Sequence, residues 1–432
     1  MRLAWVGAAV VAGFGAPCWS DVPPGDAGAV APSGPITVAP AATPQPAWTK
    51  WFNPETAPFI PVPLIDTDPN GGTTFGLIPT WVRTDDNHNV TRIIAPDVMY
   101  NENFGFGVHG RIFAFSTADK QWSLVAGIKE RVEREFDAEY EIGRQREQRW
   151  SINYSLIYDR DGTPRFYGIG NDTPASAETT YVSNQEFAQV QIGLNITHAW
   201  QLLYTVHFRE IDVLPGALQG VASIETKFPQ ALGTDHEFLN RMSVVYDTRD
   251  DPTVPARGGK WVLYAGAAAK DGVINDSSYS EAGIDGREFW PIGQQMVLAA
   301  HVALRYMLTV HDAPFWALSN VGGGQSVIDG QQPLRGFGFG RFYDQNAFST
   351  TLELRRKLFT FNAVTTNLDI EIAPFVDLGH VFARTSANPV EQLHQVYGVG
   401  FRGIARPFVV GYVDIGYGSE GAAVFTGLNY PF

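Results

Sequence analysis

The chain has 432 residues, a formal net charge of −14 and a hydrophobic content of 44%, with 13% aromatic residues. That acidity excludes a nucleic-acid binder, which needs a basic patch to meet phosphate. No run of about 18 apolar residues lies outside the N-terminus, which excludes a helical membrane protein, while 44 glycines and 28 prolines suit a turn-rich all-β chain.

Arg2, the apolar stretch Leu3–Phe14 and the small residues of Cys18-Trp19-Ser20 read as a signal peptide over residues 1–20, cleaved before Asp21. Cys18 is the only cysteine, and Pro17 before it does not suit a lipidation site, so the exported chain is expected to carry no disulfide framework. Residues 21–72 are rich in Pro, Ala and Gly, with Pro23-Pro24 and the cluster Pro58, Pro61 and Pro63. They read as an extended periplasmic tail.

From Thr73 the pattern changes to alternating segments separated by turn residues, the barrel domain 73–432. About sixteen strands are predicted, an even number as in single-chain bacterial barrels. The first is placed at 74–83, the fourth at 121–135, the fifth at 148–159, the eleventh at 294–309, the twelfth at 347–359 and the last at 422–432. The long connection Val310–Asn346 is loaded with glycine, and loops of that length are usually functional or disordered.

Two strands carry the face assignment. In 347–359, Phe348, Thr350, Leu352 and Leu354 share one face, and Ser349, Thr351, Glu353, Arg355 and Lys357 the other. In 368–383, Leu368, Ile370, Ile372, Val376 and Phe382 oppose Asp369, Glu371, Asp377 and Gly379. Charges confined to one face suit a wet lumen, because a charge on the lipid face costs about 2–4 kcal/mol at midplane. At the C-terminus Val424, Thr426, Leu428, Tyr430 and Phe432 alternate with Ala423, Phe425, Gly427, Asn429 and Pro431. A period of two ending on an aromatic suits a lipid-facing closing strand. It also resembles the C-terminal signal of bacterial outer-membrane barrels, which would be Leu428, Tyr430 and Phe432. A soluble barrel would reverse the faces with nearly the same text, but export and the aromatic strand favour the membrane form. The expected fold is therefore all-β, a transmembrane antiparallel β-barrel in the bacterial outer membrane.

Four segments then occur in order. They are Tyr246-Asp-Thr-Arg-Asp-Asp-Pro252-Thr-Val-Pro255-Ala-Arg-Gly258, Leu334-Arg335-Gly336-Phe337, Ser349-Thr-Thr-Leu-Glu353, and Pro374-Phe-Val-Asp377-Leu-Gly379. With Phe166-Tyr-Gly-Ile-Gly-Asn-Asp172, they resemble the barrel of the bacterial surface antigen family, the BamA/TamA-type outer-membrane assembly factors. The resemblance implies that the Arg335-Gly336-Phe337 loop folds back into the lumen and meets the strand carrying Asp377 and Gly379. Arg335 has a permanent charge and a planar fork of donors. Glu353 and Asp377, both on inward faces of neighbouring strands, could take charge-assisted bonds from it. Gly336, with Gly338 and Gly340, lets the loop backbone pass close to the wall, and Phe337 would wedge against it. The assembly factors carry periplasmic POTRA domains before the barrel. The Pro-rich tail here is too short and irregular for one, so the resemblance transfers the barrel and not the client-delivery apparatus.

Other motif matches fail on context. Gly105-Phe-Gly107-Val-His-Gly110 continues as alternating strand where a dinucleotide site needs a helix. Asp66–Gly71 opens like a calcium loop, but Leu77 stands where the closing Glu belongs. No HExxH or GxSxG occurs, and His380 faces away from Asp377, so no enzyme, metal or cofactor is expected, although a Ser/His pair on a barrel wall needs no linear motif. The charge runs Glu130–Glu135 and Glu139–Glu147 read as solvated lumen or loop residues. Two functions are expected. The first is insertion or translocation of proteins or lipids through a weak seam, with Pro79 in the first strand and Gly427 and Pro431 in the last. The second is a passive or loop-plugged, porin-like pore or a structural barrel. The implied partners are outer-membrane lipids, unfolded outer-membrane protein or lipid clients, and the general barrel-assembly machinery for the chain's own insertion.

Overall fold

The computed structural model describes residues 59–432 apart from 86–89, 118, 144–145, 329, 364–365, 406–408 and 429. The expected signal peptide and most of the expected tail lie outside the described residues. Twenty strands hydrogen-bond into one sheet. Two of them, Val90–Ile94 and Asp97–Asn101, are halves of one strand broken at Ala95-Pro96, and the two-residue strand Arg165–Phe166 is only a lip on its neighbour. That leaves eighteen wall strands among the described residues.

These are β1 (Phe59–Asp68), β2 (Gly72–Thr84), β3 (the two halves just named), β4 (Gly105–Thr117), β5 (Lys120–Lys129) and β6 (Arg134–Ile142). Then follow β7 (Trp150–Asp161), β8 (Thr179–Asn195), β9 (Trp200–Pro215), β10 (Gly233–Asp247), β11 (Gly258–Ala268) and β12 (Ser278–Ile292). The last six are β13 (Met296–Asp312), β14 (Asn346–Ala363), β15 (Thr366–Phe382), β16 (His394–Ala405), β17 (Val409–Gly418) and β18 (Gly421–Leu428). Each pairs antiparallel with its successor, from Phe59↔Trp81 in the first hairpin to Gly418↔Gly421 in the last.

Two wall strands extend the predicted set. Phe59–Asp68 had been read as tail, yet it pairs with β2 along its whole length. Its prolines hid it: a proline removes a ladder donor and argues against a strand except where a sheet has an edge, and β1 is that edge. Pro79 accordingly sits in the second strand, opposite Pro61, and not in the first. The other addition is β6, which had been divided between the predicted 121–135 strand and a charge run. Its carboxylates Glu135, Asp137, Glu139 and Glu141 alternate with Phe136, Ala138, Tyr140 and Ile142, the period of a strand with a polar inner face.

Burial is inverted relative to a soluble barrel. In β4, His109 and Arg111 are 6% and 3% exposed, whereas Phe106 and Val108 are 66% and 51% exposed. In β14, Glu353 and Arg355 are buried and Leu352 is exposed. Apolar side chains outside and charges inside are what lipid demands. Trp150, Trp200 and Trp290 are exposed near the short-turn end, with Trp200 packed at a tilt on Tyr246, ring centroids 4.5 Å apart, as in an interfacial girdle.

The connection between β13 and β14 runs back into the lumen. It holds a small sheet of Ser319–Val321, Gln331–Gln332 and Phe342–Asp344. At the loop end, Phe315, Trp316 and Tyr343 from this connection pack with Phe166, Tyr181 and Ile224 into an apolar plug. β18 returns to β1, where Thr67 N–H donates to Thr426 Oγ1 at 2.7 Å and Thr426 Oγ1–H donates to Asp66 Oδ1 at 3.0 Å. Among the described residues no backbone ladder joins these two strands.

Candidate functional site

The site lies where the long loop meets the inner wall. Arg335 is fully buried. Its Nε and Nη2 donate to Asp377 Oδ2 and Oδ1, both at 2.9 Å, a bidentate fork. Its backbone N–H adds a third bond to Asp377 Oδ2 at 3.0 Å. Nη1 donates to Glu353 Oε2 at 2.8 Å and to Asp414 Oδ2 at 3.0 Å. The guanidinium plane rests on the Phe375 ring, 3.4 Å from its centroid, a cation–π contact in a dry setting.

Strand periodicity explains why the partners converge. Thr351, Glu353 and Arg355 are alternate residues of β14, so they share its inner face. Asp377 on β15 is in register with Thr351, whose hydroxyl donates to Asp377 Oδ1 at 2.9 Å. Arg355 Nε and Arg402 Nη2 donate to Glu353 at 2.9 and 3.2 Å, and Arg402 also pairs with Asp414. Three arginines thus face three carboxylates, so the buried group is neutral as a whole. Buried charges persist only when compensated in this way.

The other predicted residues take distinct places. A Cβ on Gly336 would lie 2.8 Å from Gly418 N and 2.7 Å from Val396 Cγ2, so this position admits glycine alone. Phe337 is buried among Val321, Leu334, Phe342, Phe375 and Val396. Gly379 faces Leu334, and a Cβ there would meet Leu334 Cδ1 at 3.4 Å, an ordinary contact. Leu428 ends β18. Tyr430 and Phe432 do not continue that strand on its lipid face, and the expectation that they do is corrected. Pro431 cannot extend a ladder, and the two rings turn inward instead. Tyr430 lies 3.7 Å from the Arg355 guanidinium and donates to Glu371 Oε1 at 3.2 Å. Phe432 stacks on His301 at 5.3 Å.

Sequence reasoning missed Asp414, Arg402, Arg355 and Gly416 as parts of this site. Asp414 and Gly416 share one face of β17, while Val413, Ile415 and Tyr417 point outward, so the signal was the same alternation used elsewhere. A Cβ on Gly416 would stand 2.2 Å from Arg335 O, so the loop backbone runs directly over it.

The lumen also brings a serine, a histidine and an aspartate together. Ser326 Oγ lies 3.2 Å from His301 Nε2 and 3.1 Å from Asp285 Oδ2, and His301 Nε2 lies 3.0 Å from Asp285 Oδ2. A proton relay needs the acid on one imidazole nitrogen and the nucleophile on the other. Here one nitrogen meets both, and Ser326 also contacts Gln332 Oε1 at 3.1 Å. The trio is a polar knot that holds the loop tip, and its N–H bond from Ser326 to Pro431 O at 3.1 Å ties in the C-terminal turn.

The family model described as the Omp85 superfamily domain matches residues 120–405. Among solved structures, the chain is similar to BamA from Haemophilus ducreyi lacking POTRA domains 1–3, with 14% identity and a TM-score of 0.51, covering 88% of this chain and 77% of that one. It is also similar to CdiB from Acinetobacter baumannii, with 12% identity and a TM-score of 0.46, covering 87% of this chain and 60% of that one. CdiB from Escherichia coli shares 8% identity at a TM-score of 0.44, covering 88% and 67%. The first of these likenesses bears on the fold alone. A search of curated proteins found no match.

Proposed function

Because the chain belongs to the Omp85 superfamily, we propose that this outer-membrane barrel inserts or translocates protein or lipid clients, and that the β1–β18 seam is where clients engage. In this reading residues 1–20 direct export and are removed, and the Pro-rich segment after them lies in the periplasm. Outer-membrane lipids surround the wall, and the general assembly machinery places the barrel in the membrane by reading its C-terminal residues.

The observation that carries the reading is the chemistry of the seam. Thr67 N–H points at β18. Backbone donors two residues apart leave a strand on the same side, so positions 65, 63 and 61 face the seam as well. Pro63 and Pro61 have no N–H to give. On the other side, Gly427 weakens β18, which ends at Leu428, and Pro431 beyond it cannot donate to a longer ladder. A wall that is otherwise fully laddered therefore has one edge poor in donors.

The Arg335 group supports the same reading by holding this part of the loop against β14 to β17, the strands that lead up to the seam. The test is assisted folding. The purified protein is placed in liposomes, an unfolded outer-membrane barrel is added, and client folding is followed by heat-modifiable gel mobility against empty liposomes and the Arg335→Ala variant. Acceleration by the wild type, lost in the variant, is expected. Equal rates with and without the protein would remove the insertion reading. The second reading, a loop-plugged pore, is favoured by the long loop inside the lumen. It requires single-channel conductance that rises when residues 313–345 are deleted.

A further inference from the structure

The long loop touches more than the Arg335 group. Its segment Gly338–Arg341 meets the turns of two hairpins, and these are the two that flank the seam. On the β1–β2 side, Asn70 Nδ2 donates to Phe339 O at 2.9 Å. The turn that presents Asn70 is set by Asp68, whose Oδ1 accepts the N–H groups of Asn70 and Gly71 at 2.7 and 2.9 Å. Gly338 passes so near that a Cβ there would lie 2.1 Å from Asn70 Oδ1. On the β17–β18 side, Arg341 Nε lies 2.9 and 3.0 Å from the two carboxylate oxygens of Glu420, and Nη2 donates to Oε1 at 2.5 Å. The Phe339 ring meets Phe425 of β18 edge-on at 5.7 Å.

Arg341 is itself fixed from behind. Nη1 donates to Thr173 Oγ1 at 3.0 Å and Nη2 to Thr173 O at 2.7 Å. Its guanidinium lies 4.2 Å from the Tyr167 ring and 4.3 Å from Phe342. The arginine is 2% exposed, so its fork is preorganised toward Glu420. Among the described residues, direct bonds between β1 and β18 run through Thr426 to Thr67 and Asp66.

We propose that Gly338–Arg341 is a clasp across the seam, with Arg341 and Asn70 as positioning residues that hold the two edge hairpins together at the loop end. Opening of the seam begins with release of Glu420 from Arg341 and of Asn70 from Phe339. The proposal rests on the seam reading above, and it adds the element that controls it.

The test is hydrogen exchange by mass spectrometry on the full chain in liposomes. In Arg341→Ala, exchange in β1 and β18 rises about five-fold, the scale of losing one partly exposed charged contact at a local opening site, while β11 and β12 are unchanged. Asn70→Ala, which removes the opposite grip, gives the same pattern. The double variant exceeds the larger single effect by little, because a clasp released on one side holds nothing on the other. Unchanged exchange at β1 and β18 overturns the proposal. So does a rise spread evenly over all strands, or full additivity of the two variants. Assisted folding on the same liposomes separates the two ideas. Faster seam exchange without client folding keeps the clasp and removes the insertion reading. Unchanged seam exchange with client folding intact removes the clasp alone.

Discussion

Arg335→Ala removes the centre of the buried charge group. Its damage is concentrated on one residue. Glu353 keeps Arg355 and Arg402, and Asp414 keeps Arg402. Asp377 loses both fork bonds and is left with the Thr351 hydroxyl and a backbone N–H whose position depends on the loop. The group passes from neutral to one net negative charge in a fully buried setting. Breaking a buried pair from one side costs about 3–5 kcal/mol, and this figure already contains the stranded carboxylate, so the individual bonds are not added to it. Charged to loop docking, it raises the undocked population by about two to four powers of ten. Trypsin reads that population, because Arg341 is buried in the docked loop and remains a cleavage site in the variant. The companion is Arg335→Ala with Asp377→Ala, which removes the stranded charge and should recover part of the loss. A change in cleavage of less than about threefold, or full additivity in the double variant, would refute the reasoning.

Gly416→Ala should undock the loop nearly as well, because the new Cβ would stand 2.2 Å from Arg335 O, whereas Gly379→Ala should be tolerated; the same proteolysis compares them. Leu352→Arg puts a charge on the lipid face next to the inward Glu353 and should destabilise the barrel by about 2–4 kcal/mol in denaturant titrations within bilayers. Leu352→Val is its control. Tyr430→Ala should lower thermal stability more than Tyr430→Phe, because the first removes the ring beside Arg355 and the second only the hydroxyl bond to Glu371. The ring is worth about 0.5–2 kcal/mol. Equal losses would mean that the cation–π contact carries nothing.

Strand parity made the faces of β14 and β15 readable, because the lipid face cannot carry Glu353 or Asp377. Parity says which way a side chain points, and nothing about what it meets across the lumen. Asp414 and Arg402 are as clearly inward as Glu353, yet joining them to Arg335 needs the curvature of a closed wall. The two strands outside the predicted set have separate causes. In β1 the alternation is interrupted by Pro61 and Pro63, and only knowledge that the segment forms an edge makes them acceptable. In β6 the acids that look like a loop run are one face of a strand. Tyr430 and Phe432 follow the period of β18 in the text, but the ladder ends at Leu428 and Pro431 cannot extend it, and Arg355 offers their rings a better partner than lipid.

Two of the holds on the long loop, Arg335 in its carboxylate group and Arg341 on Glu420, respond differently to ionic strength. The Arg335 group is neutral and sealed from solvent, so mobile ions have neither a net charge to screen nor access to one. Glu420 is 32% exposed, and at physiological salt screening acts over about 8 Å. Rising salt therefore loosens the outer grip and leaves the inner one untouched. The medium then acts on one side of the seam alone, because Asn70 stays on Phe339 O and Arg341 on Thr173, bonds to uncharged partners that screening does not reach.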